Sequence, residues 1–545
     1  MMKFPKNCHI VLLLMLAGLA VQSCHPPESK HEAKILPNNW LGTVTGNFSA
    51  QSKITFDSSR FTPFFNSYPD LKIYEAQVRD FYAKRKFSYA WFDGGRLIEQ
   101  ADNLANQIVH LKDDGIYKTL PYPGVLDSLL DGKNTGPDKN HPDITLELML
   151  TSQYFGFSKL AWQGMSKAAV DSTGWYVPRK KVAYDAYLDS LLKIPVKSFA
   201  TTAPVYRQYG LLRKFLRKYR ALDAAGDLPV VNNTIVSLRP GDTSADLIKL
   251  KTALFRLGDF HGDTLDHTFD PALVSSLRLF QACNGLDTTG RFNKATATAL
   301  AVPLKTRIRQ IVVNMERSRW LPVSLTSDYI AVNIPEFKLH VYHADSLLWS
   351  CNVVVGQTFD QTSIFYGNVK YVVFRPYWNV PPSIVSAEIL PGIRRGRHYL
   401  KRHHMEITGH SDGLPVVRQK PGPNNSLGLV KFLFPNSFNI YLHDTPAKSL
   451  FQESSRDFSH GCIRVMKPAK LAAFLLKDNE KWTPAAINKA MHTGGQQYVT
   501  LKNKIPVFIA YFTAFVDRNG ALNFRKDIYN LDDHLANMLI SNKGN

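Results

Sequence analysis

The chain has 545 residues, a formal net charge of +21, and 44% apolar and 12% aromatic residues. That length calls for several domains, and the apolar share excludes general disorder. The charge favours an anionic partner such as acidic headgroups or a wall polymer, and no RNA-binding signature accompanies it, which argues against nucleic acid.

Residues 1–24 read as a signal segment. Lys3 and Lys6 precede an apolar run from Ile10 to Val21, and Ser23-Cys24 follows. The run is too short to span a bilayer comfortably. VQSC is similar to a lipoprotein box, which makes Cys24 a candidate lipidation site, and Gln22 is unusual inside such a box. Plain secretory cleavage is the alternative. Residues 25–59 read as a polar tether. The expected location is the cell envelope, periplasmic and anchored to a membrane by lipid.

Residues 60–236 carry apolar side chains at three- and four-residue spacing, as in LIEQADNLANQIVHL and YRQYGLLRKFLRKYRAL, and predict a mostly helical domain. The cations of the latter stretch (Arg207, Arg213, Lys214, Arg217, Lys218, Arg220) read as a solvated basic face. Residues 237–302 predict three short helices. Thr243 and Ser244 open the first and Gly258 ends it. Asp270-Pro271 opens the second, and Asn293 caps the third. From 326 to 530 the pattern alternates with period two and predicts a β-rich domain. Within it, 381–423 is basic and punctuated by proline and glycine, the mark of a long lid-like insertion over a site. A closing hairpin is expected near the end, with its turn at Arg518-Asn519-Gly520. The fold class is therefore α+β and multidomain.

Cysteine use narrows the chemistry. Beyond Cys8 and Cys24 only Cys283, Cys351 and Cys462 remain, so no disulfide framework is expected. Cys283 and Cys351 lie in apolar runs and read as small core residues. Cys462 lies in SHGCIR, among polar neighbours. A nucleophilic cysteine needs a base, oxyanion donors and access. Gly461 allows a tight turn that brings the amides of His460, Gly461 and Cys462 toward a ligand. His443, at the end of the strand NIYLH, is the candidate base, oriented by a carbonyl of the Asp444-Thr445-Pro446 turn. His460 stands two residues from Cys462 across a glycine, which suits it to shaping the turn. A structural turn is the plain alternative. Two histidines and one cysteine, even with His403-His404, make a poor zinc set, and no metal or cofactor is expected.

His443, followed after fifteen residues by Ser-His-Gly-Cys-Ile-Arg-Val, resembles the signature of L,D-transpeptidases with a YkuD-type catalytic domain. FRPYWNVPPSI, EILP, RQKPGPNNSLGLVKFLFPN and IYLHDTPAKSLF extend the likeness to the larger YcbB-like subgroup, and LRPGDTSADLIKL…GRFNKATATAL resembles a peptidoglycan-binding domain. The resemblance implies a helical scaffold domain, a peptidoglycan-binding domain and a catalytic domain with a lid. It implies that Cys462 attacks a tetrapeptide stem, releases D-alanine and passes the acyl group to the amine of another stem, giving a 3→3 cross-link. It implies His443 as base then acid, Ser459 as support of the turn, and Tyr441 and Trp378 as pocket residues. Arg464 and Arg456 take support or carboxylate-contact roles, and carbapenems become expected acylating agents. Water or a protein lysine as acceptor, an inert wall-binding scaffold, and a cysteine peptidase of another fold are the competing readings. Arg375 stands where the family pattern has asparagine, and QTSIF at 361–365 replaces a more usual Thr-Pro segment.

Overall fold

The computed structural model describes residues 54–132, 142–193, 203–322 and 325–540. The leader with Cys24 and most of the tether lie outside them.

The helical part holds α1 (Phe61–Ser67), α2 (Glu75–Lys84), a small ribbon of β1 (Phe92–Asp93) and β2 (Arg96–Leu97), then α3 (Glu99–Val109), α4 (Pro123–Gly132), α5 (Ile144–Phe157) and α6 (Lys167–Asp171). β3 (Trp175–Tyr176), α7 (Tyr184–Leu192) and α8 (Gln208–Ala224) follow. α5 is buried nearly all round. Its Glu147 is buried too, and takes hydrogen bonds from the Tyr82 hydroxyl and the amides of Ala90 and Trp91. These bonds offset much of the cost of burying a carboxylate.

The basic face expected on α8 is not simply solvated. Arg213 pairs with Asp114, Arg220 donates to the Asp113 carbonyl, and Lys218 donates to the Leu257 carbonyl. The helix uses its cations to clasp its neighbours, and burial lowers the Lys218 pKa.

Residues 246–300 form α9 (Asp246–Leu257), α10 (Pro271–Cys283) and α11 (Lys294–Leu300) around their own core of Leu247, Leu250, Leu254, Leu273, Leu277 and Phe280. Asp270 caps α10 through the Leu273 amide at 2.7 Å, and Asn293 caps α11 through Thr296 at 2.9 Å. Gly258 ends α9 at φ 89°. Ser244 is a near cap, accepting from the Asp246 amide at 3.3 Å.

Next comes α12 (Leu304–Trp320), which packs along α8. Its second half is buried on every side although it reads VVNMERSRW. Each buried polar group has a partner. Asn314 bonds Thr513, Glu316 accepts from Met165 and Trp320 and pairs with Arg319, and Arg317 pairs with Asp532.

The β-rich part runs β4 (Asp328–Asn333), β5 (Lys338–His343), β6 (Ser346–Gly356), β7 (Ile364–Phe374) and β8 (Trp378–Asn379). The insertion contributes the short helices α13 (Pro382–Ile384), α14 (Leu390–Arg395) and α15 (Tyr399–Arg402), then β9 (Met405–Ser411) and β10 (Leu414–Gln419). Then follow β11 (Val430–Leu433), β12 (Leu442–His443), β13 (Asp457–Ser459), β14 (Ile463–Val465), α16 (Pro468–Leu475), α17 (Pro484–His492), β15 (Gln497–Ala510), β16 (Ala514–Val516), β17 (Leu522–Phe524) and α18 (Leu531–Ile540). The main sheet has the order β11-β12-β14-β6-β5-β4-β15-β7, and β11 also pairs with β7, so the run closes on itself. The insertion is an ordered unit. β8, β10 and β9 form a sheet, and Val380, Ile384, Val385, Ile389 and Val417 give it a small core.

Two elements cross between halves. β3 of the helical part pairs in parallel with β7, burying Trp175 against Trp320 and Phe512. In the opposite direction, β16 and β17 pair as a hairpin whose Ala514, Val516, Leu522 and Phe524 join the helical core. The turn at 518–520 is where the sequence placed it. The strand before it, β15, does not join this hairpin but pairs with β4 and β7.

Candidate active site

β12 and β14 lie side by side in parallel, Leu442 opposite Ile463 and His443 opposite Arg464. The Ile463 amide donates to the Tyr441 carbonyl at 3.1 Å. Side chains two apart on a strand share a face, so Tyr441 and His443 stand on one face of β12, and Cys462 sits level with Tyr441. The Tyr441 and His443 rings meet edge to face at 5.7 Å.

The imidazole is held from behind. His443 Nδ1 faces the Asp444 carbonyl. A carbonyl only accepts, so Nδ1 carries the proton and Nε2 is left as the basic nitrogen. Asp444 is itself clamped: its carboxylate accepts from the Leu429 amide at 2.8 Å and pairs with Lys448, and its amide donates to the Val430 carbonyl. Gly428, at φ 60°, is needed here, because a Cβ would run into the Asp444 carboxylate. Burial, helped by the cations Arg464 and Lys431, pulls the His443 pKa down to about 3. The ring is therefore neutral at ordinary pH.

Cys462 is half-buried at the end of the turn between β13 and β14. Gly461 takes φ 98°, a conformation that favours glycine. The backbone of 460–462 lies outside both flanking strands. Ser459 Oγ donates to the Cys462 carbonyl at 2.5 Å. Burial raises the thiol pKa, while Tyr441, Lys431 and Arg464 pull the other way. The Sγ atom faces the Asn439 carbonyl at 3.7 Å. Among the described residues no hydrogen bond joins the thiol to the imidazole. Such contacts are often long in an unliganded site and tighten on binding.

Thr362 and Tyr529, which sequence reasoning did not single out, hold this turn from below. Thr362 Oγ1 donates to the Gly461 carbonyl at 2.7 Å and accepts from the Gly356 amide at 2.9 Å. The Tyr529 hydroxyl donates to the Gly356 carbonyl at 2.6 Å and accepts from the Thr362 amide at 3.1 Å. Thr362 belongs to QTSIF, the segment that departs from the family pattern. Lys431 was also missed. It pairs across from His443 on β11 and lies 5.6 Å from the Tyr441 ring centroid. Its only signal was a lysine in the otherwise apolar strand VKFL.

The remaining sequence candidates divide. Trp378 reaches Tyr441, its contact favouring the phenolate, although burial dominates and raises the Tyr441 pKa. His460 points outward and faces Glu388 of the insertion at 3.2 Å, so the insertion touches the turn that carries Cys462 directly. Arg464 lies beside Cys462 and His443 and acts on both as a cation. Arg456 is not brought to the thiol. Its guanidinium lies over the Phe337 ring at 5.2 Å and donates to the Glu453 carbonyl. Arg375, with φ 47°, reaches the His492 carbonyl at 2.7 Å at the end of α17. Cys283 and Cys351 are free thiols with raised pKa values, that of Cys283 pushed up to about 11 by burial.

Family models match along the chain in the same order as the structure. An L,D-transpeptidase catalytic domain of the YkuD type covers 327–487, a Scaffold domain 76–216, and a "Putative peptidoglycan binding domain" 243–300. A curated Haemophilus influenzae protein named "Putative L,D-transpeptidase" is 31% identical over 240 residues, which are 41% of this chain and 48% of its own length. The chain thus matches about half the length of that relative. Among solved structures, an L,D-transpeptidase from Stackebrandtia nassauensis is 13% identical, covering 53% of this chain and 100% of its own with a TM-score of 0.22. One from Mycobacterium smegmatis is 12% identical, covering 34% and 59% with a TM-score of 0.19. Likeness at that level is too weak to bear on function.

Proposed function

With a YkuD-type L,D-transpeptidase catalytic domain, a Scaffold domain and a peptidoglycan-binding domain on one chain, we propose that this protein cross-links peptidoglycan stems through Cys462. The observation that carries the reading is the arrangement of the site. A neutral histidine, oriented by the Asp444 carbonyl, stands one strand from a cysteine on a left-handed glycine turn.

The steps follow from that arrangement. His443 Nε2 takes the Cys462 proton, and the sulfur attacks the carbonyl between residue three and D-alanine of a tetrapeptide stem. The amides of His460, Gly461 and Cys462 are the donors for the developing oxyanion. The C–N bond breaks, D-alanine leaves with the proton from His443, and a thioester remains. The amine of a second stem then attacks. Its proton passes to His443, the C–S bond breaks, the thiol is restored, and a 3→3 cross-link results. Arg464 and Lys431 favour the thiolate against the burial that opposes it. Tyr441 and Trp378 line the donor side, Ser459 supports the turn, and Arg456 acts through the packing ahead of β13. The work site is the cell envelope, on the periplasmic side, with Cys24 as lipid attachment.

Intact-protein mass spectrometry of the chain with a disaccharide-tetrapeptide, alongside analysis of the released muropeptides, tests this. A dimer one D-alanine lighter than two tetrapeptides is expected. Tripeptide as sole product would make water the acceptor. Neither adduct nor product from folded protein would overturn the reading.

A further inference from the structure

The pairing of β11, β12 and β14 sets one row of side chains across the sheet. Lys431 stands opposite His443, and His443 opposite Arg464. Partners in register share a face, so the two cations flank the imidazole on the face that carries Tyr441 and Cys462. The row ends in valine at either side, Val373 opposite Lys431 and Val354 opposite Arg464, and both valines are fully buried.

Lysine and arginine are costly at these places. Both are half-buried, and burial lowers both pKa values. A charge drawn partly out of water calls for a partner. Buried cations elsewhere in the fold rest on acids, as Lys251, Arg317 and Arg319 do, or on carbonyls, as Arg307 and Arg525 do. Among the described residues the side chains of Lys431 and Arg464 have neither, and the Cys462 sulfur is the one ionisable group that favours their charge. The Tyr441 ring, 5.6 Å from the lysine, is a weak partner. The carboxylates close by in the chain or the fold are taken, Asp444 by Lys448 and the Leu429 amide, Glu388 by His460. With Cys462 as thiolate and His443 protonated, the row still carries positive charge in excess, and acylation of the sulfur removes its one negative charge. An anion that arrives with the donor balances it. A tetrapeptide stem brings one close to the reacting bond, because the D-alanine carboxylate sits on the first Cα beyond the nitrogen that leaves.

We propose that Lys431 and Arg464 form the subsite for the free carboxylate of the leaving residue, and that Lys431 makes the protein prefer a donor that ends there. The donor class rests on the functional reading given above; the row of unmatched cations does not. Holding that carboxylate fixes the register of the stem, so that the bond before the terminal residue lies over the Cys462 sulfur.

Acylation of the full chain by a disaccharide-tetrapeptide, and by the same stem with its terminal carboxylate amidated, tests the proposal. It is read as adduct by intact mass and as D-alanine or D-alaninamide released over time. The parent should react about 10- to 100-fold faster with the free acid, the span of a charged hydrogen bond. Lys431→Met keeps the apolar stem without the charge and should cut that preference about tenfold, while Lys431→Arg should keep it. Both donors meet the same thiol, so their ratio cancels any effect of Lys431 on the thiolate, and a purely structural role would slow both alike. If Lys431→Met does not fold, Arg464→Gln, on the other side of His443, should lower the same preference. Equal rates from acid and amide in the parent, or full preference in the folded neutral variants, would overturn the proposal. No adduct and no release from either donor would overturn the functional reading, and the donor assignment with it, a result distinct from reaction without preference.

Discussion

Thr362→Val is the sharpest perturbation of the turn that carries Cys462. Valine matches threonine in shape and removes only the hydroxyl. That hydroxyl joins the Gly461 carbonyl to the Gly356 amide in a site where Thr362 is 1% exposed. Two buried backbone groups then lose a partner. Each such loss costs about 1–3 kcal/mol, so the turn is destabilised by roughly 2–6 kcal/mol unless water enters. If about 3 kcal/mol of that falls on the acylation-competent turn, acylation slows by about 100-fold. Thr362→Ser keeps the hydroxyl and loses one methyl, a cost of about 1 kcal/mol, and should recover most of the rate. The assay is acylation of Cys462 by a carbapenem, followed by intact mass over time. Hydrogen exchange at Gly461 and Cys462 reports the turn itself. A valine variant that acylates at the parent rate, or a serine variant as slow as valine, would show that the network does not position the nucleophile.

Other outcomes rest on the same geometry. Cys462→Ala should abolish acylation and leave binding to wall sacculi intact, measured by co-sedimentation. His443→Ala should cost several orders of magnitude in acylation; near-normal rates would move the base to His460. The raised thiol pKa leaves little free thiolate at neutral pH, so the residual acylation of His443→Ala, which lacks the base, should climb with pH, and a residual rate independent of pH would contradict that. His443 has a folded pKa of about 3, below the ordinary 6.5. The unfolded chain therefore binds the proton first, and stability present above pH 6.5 should be lost as pH falls toward 3. His443→Asn should flatten that acid limb in denaturant melts taken between pH 4 and 7. Trp175→Ala should cost about 3–5 kcal/mol, read as a lowered thermal midpoint of the catalytic part although Trp175 lies in the helical part.

The candidate site was legible because its residues are local. Ser459 to Arg464 span one turn and the strand ends that flank it, and His443 ends a strand whose alternation is plain in NIYLH. The caps of α10 and α11 were legible for the same reason, since Asp270 and Asn293 act on amides three residues away. What escaped needed partners distant in sequence. α12 falls between the predicted domain ranges, and the partners of its charges show only in the fold, where Arg317 meets Asp532 and Glu316 meets Met165 and Trp320. β3 is two residues long and exists only because β7 offers it an edge. Thr362 and Tyr529 are 167 residues apart and look like any threonine and tyrosine. The insertion was legible as an excursion but not as a folded unit, because its core residues are spread over 380–417.

The exchange of β3 and the β16–β17 hairpin bears on how such a protein can be altered by recombination. Three successive matches along a chain suggest three beads that could be swapped at will. Only the middle bead has a closed interior of its own. A cut between the outer two would strip Trp175 from one and leave a raw strand edge on the other, while four apolar hairpin residues would lose their socket. Helical and catalytic halves must therefore be inherited together and change in step, while the unit between them keeps its own core and meets them through contacts such as Lys218 to the Leu257 carbonyl and Arg525 to the Cys283 carbonyl.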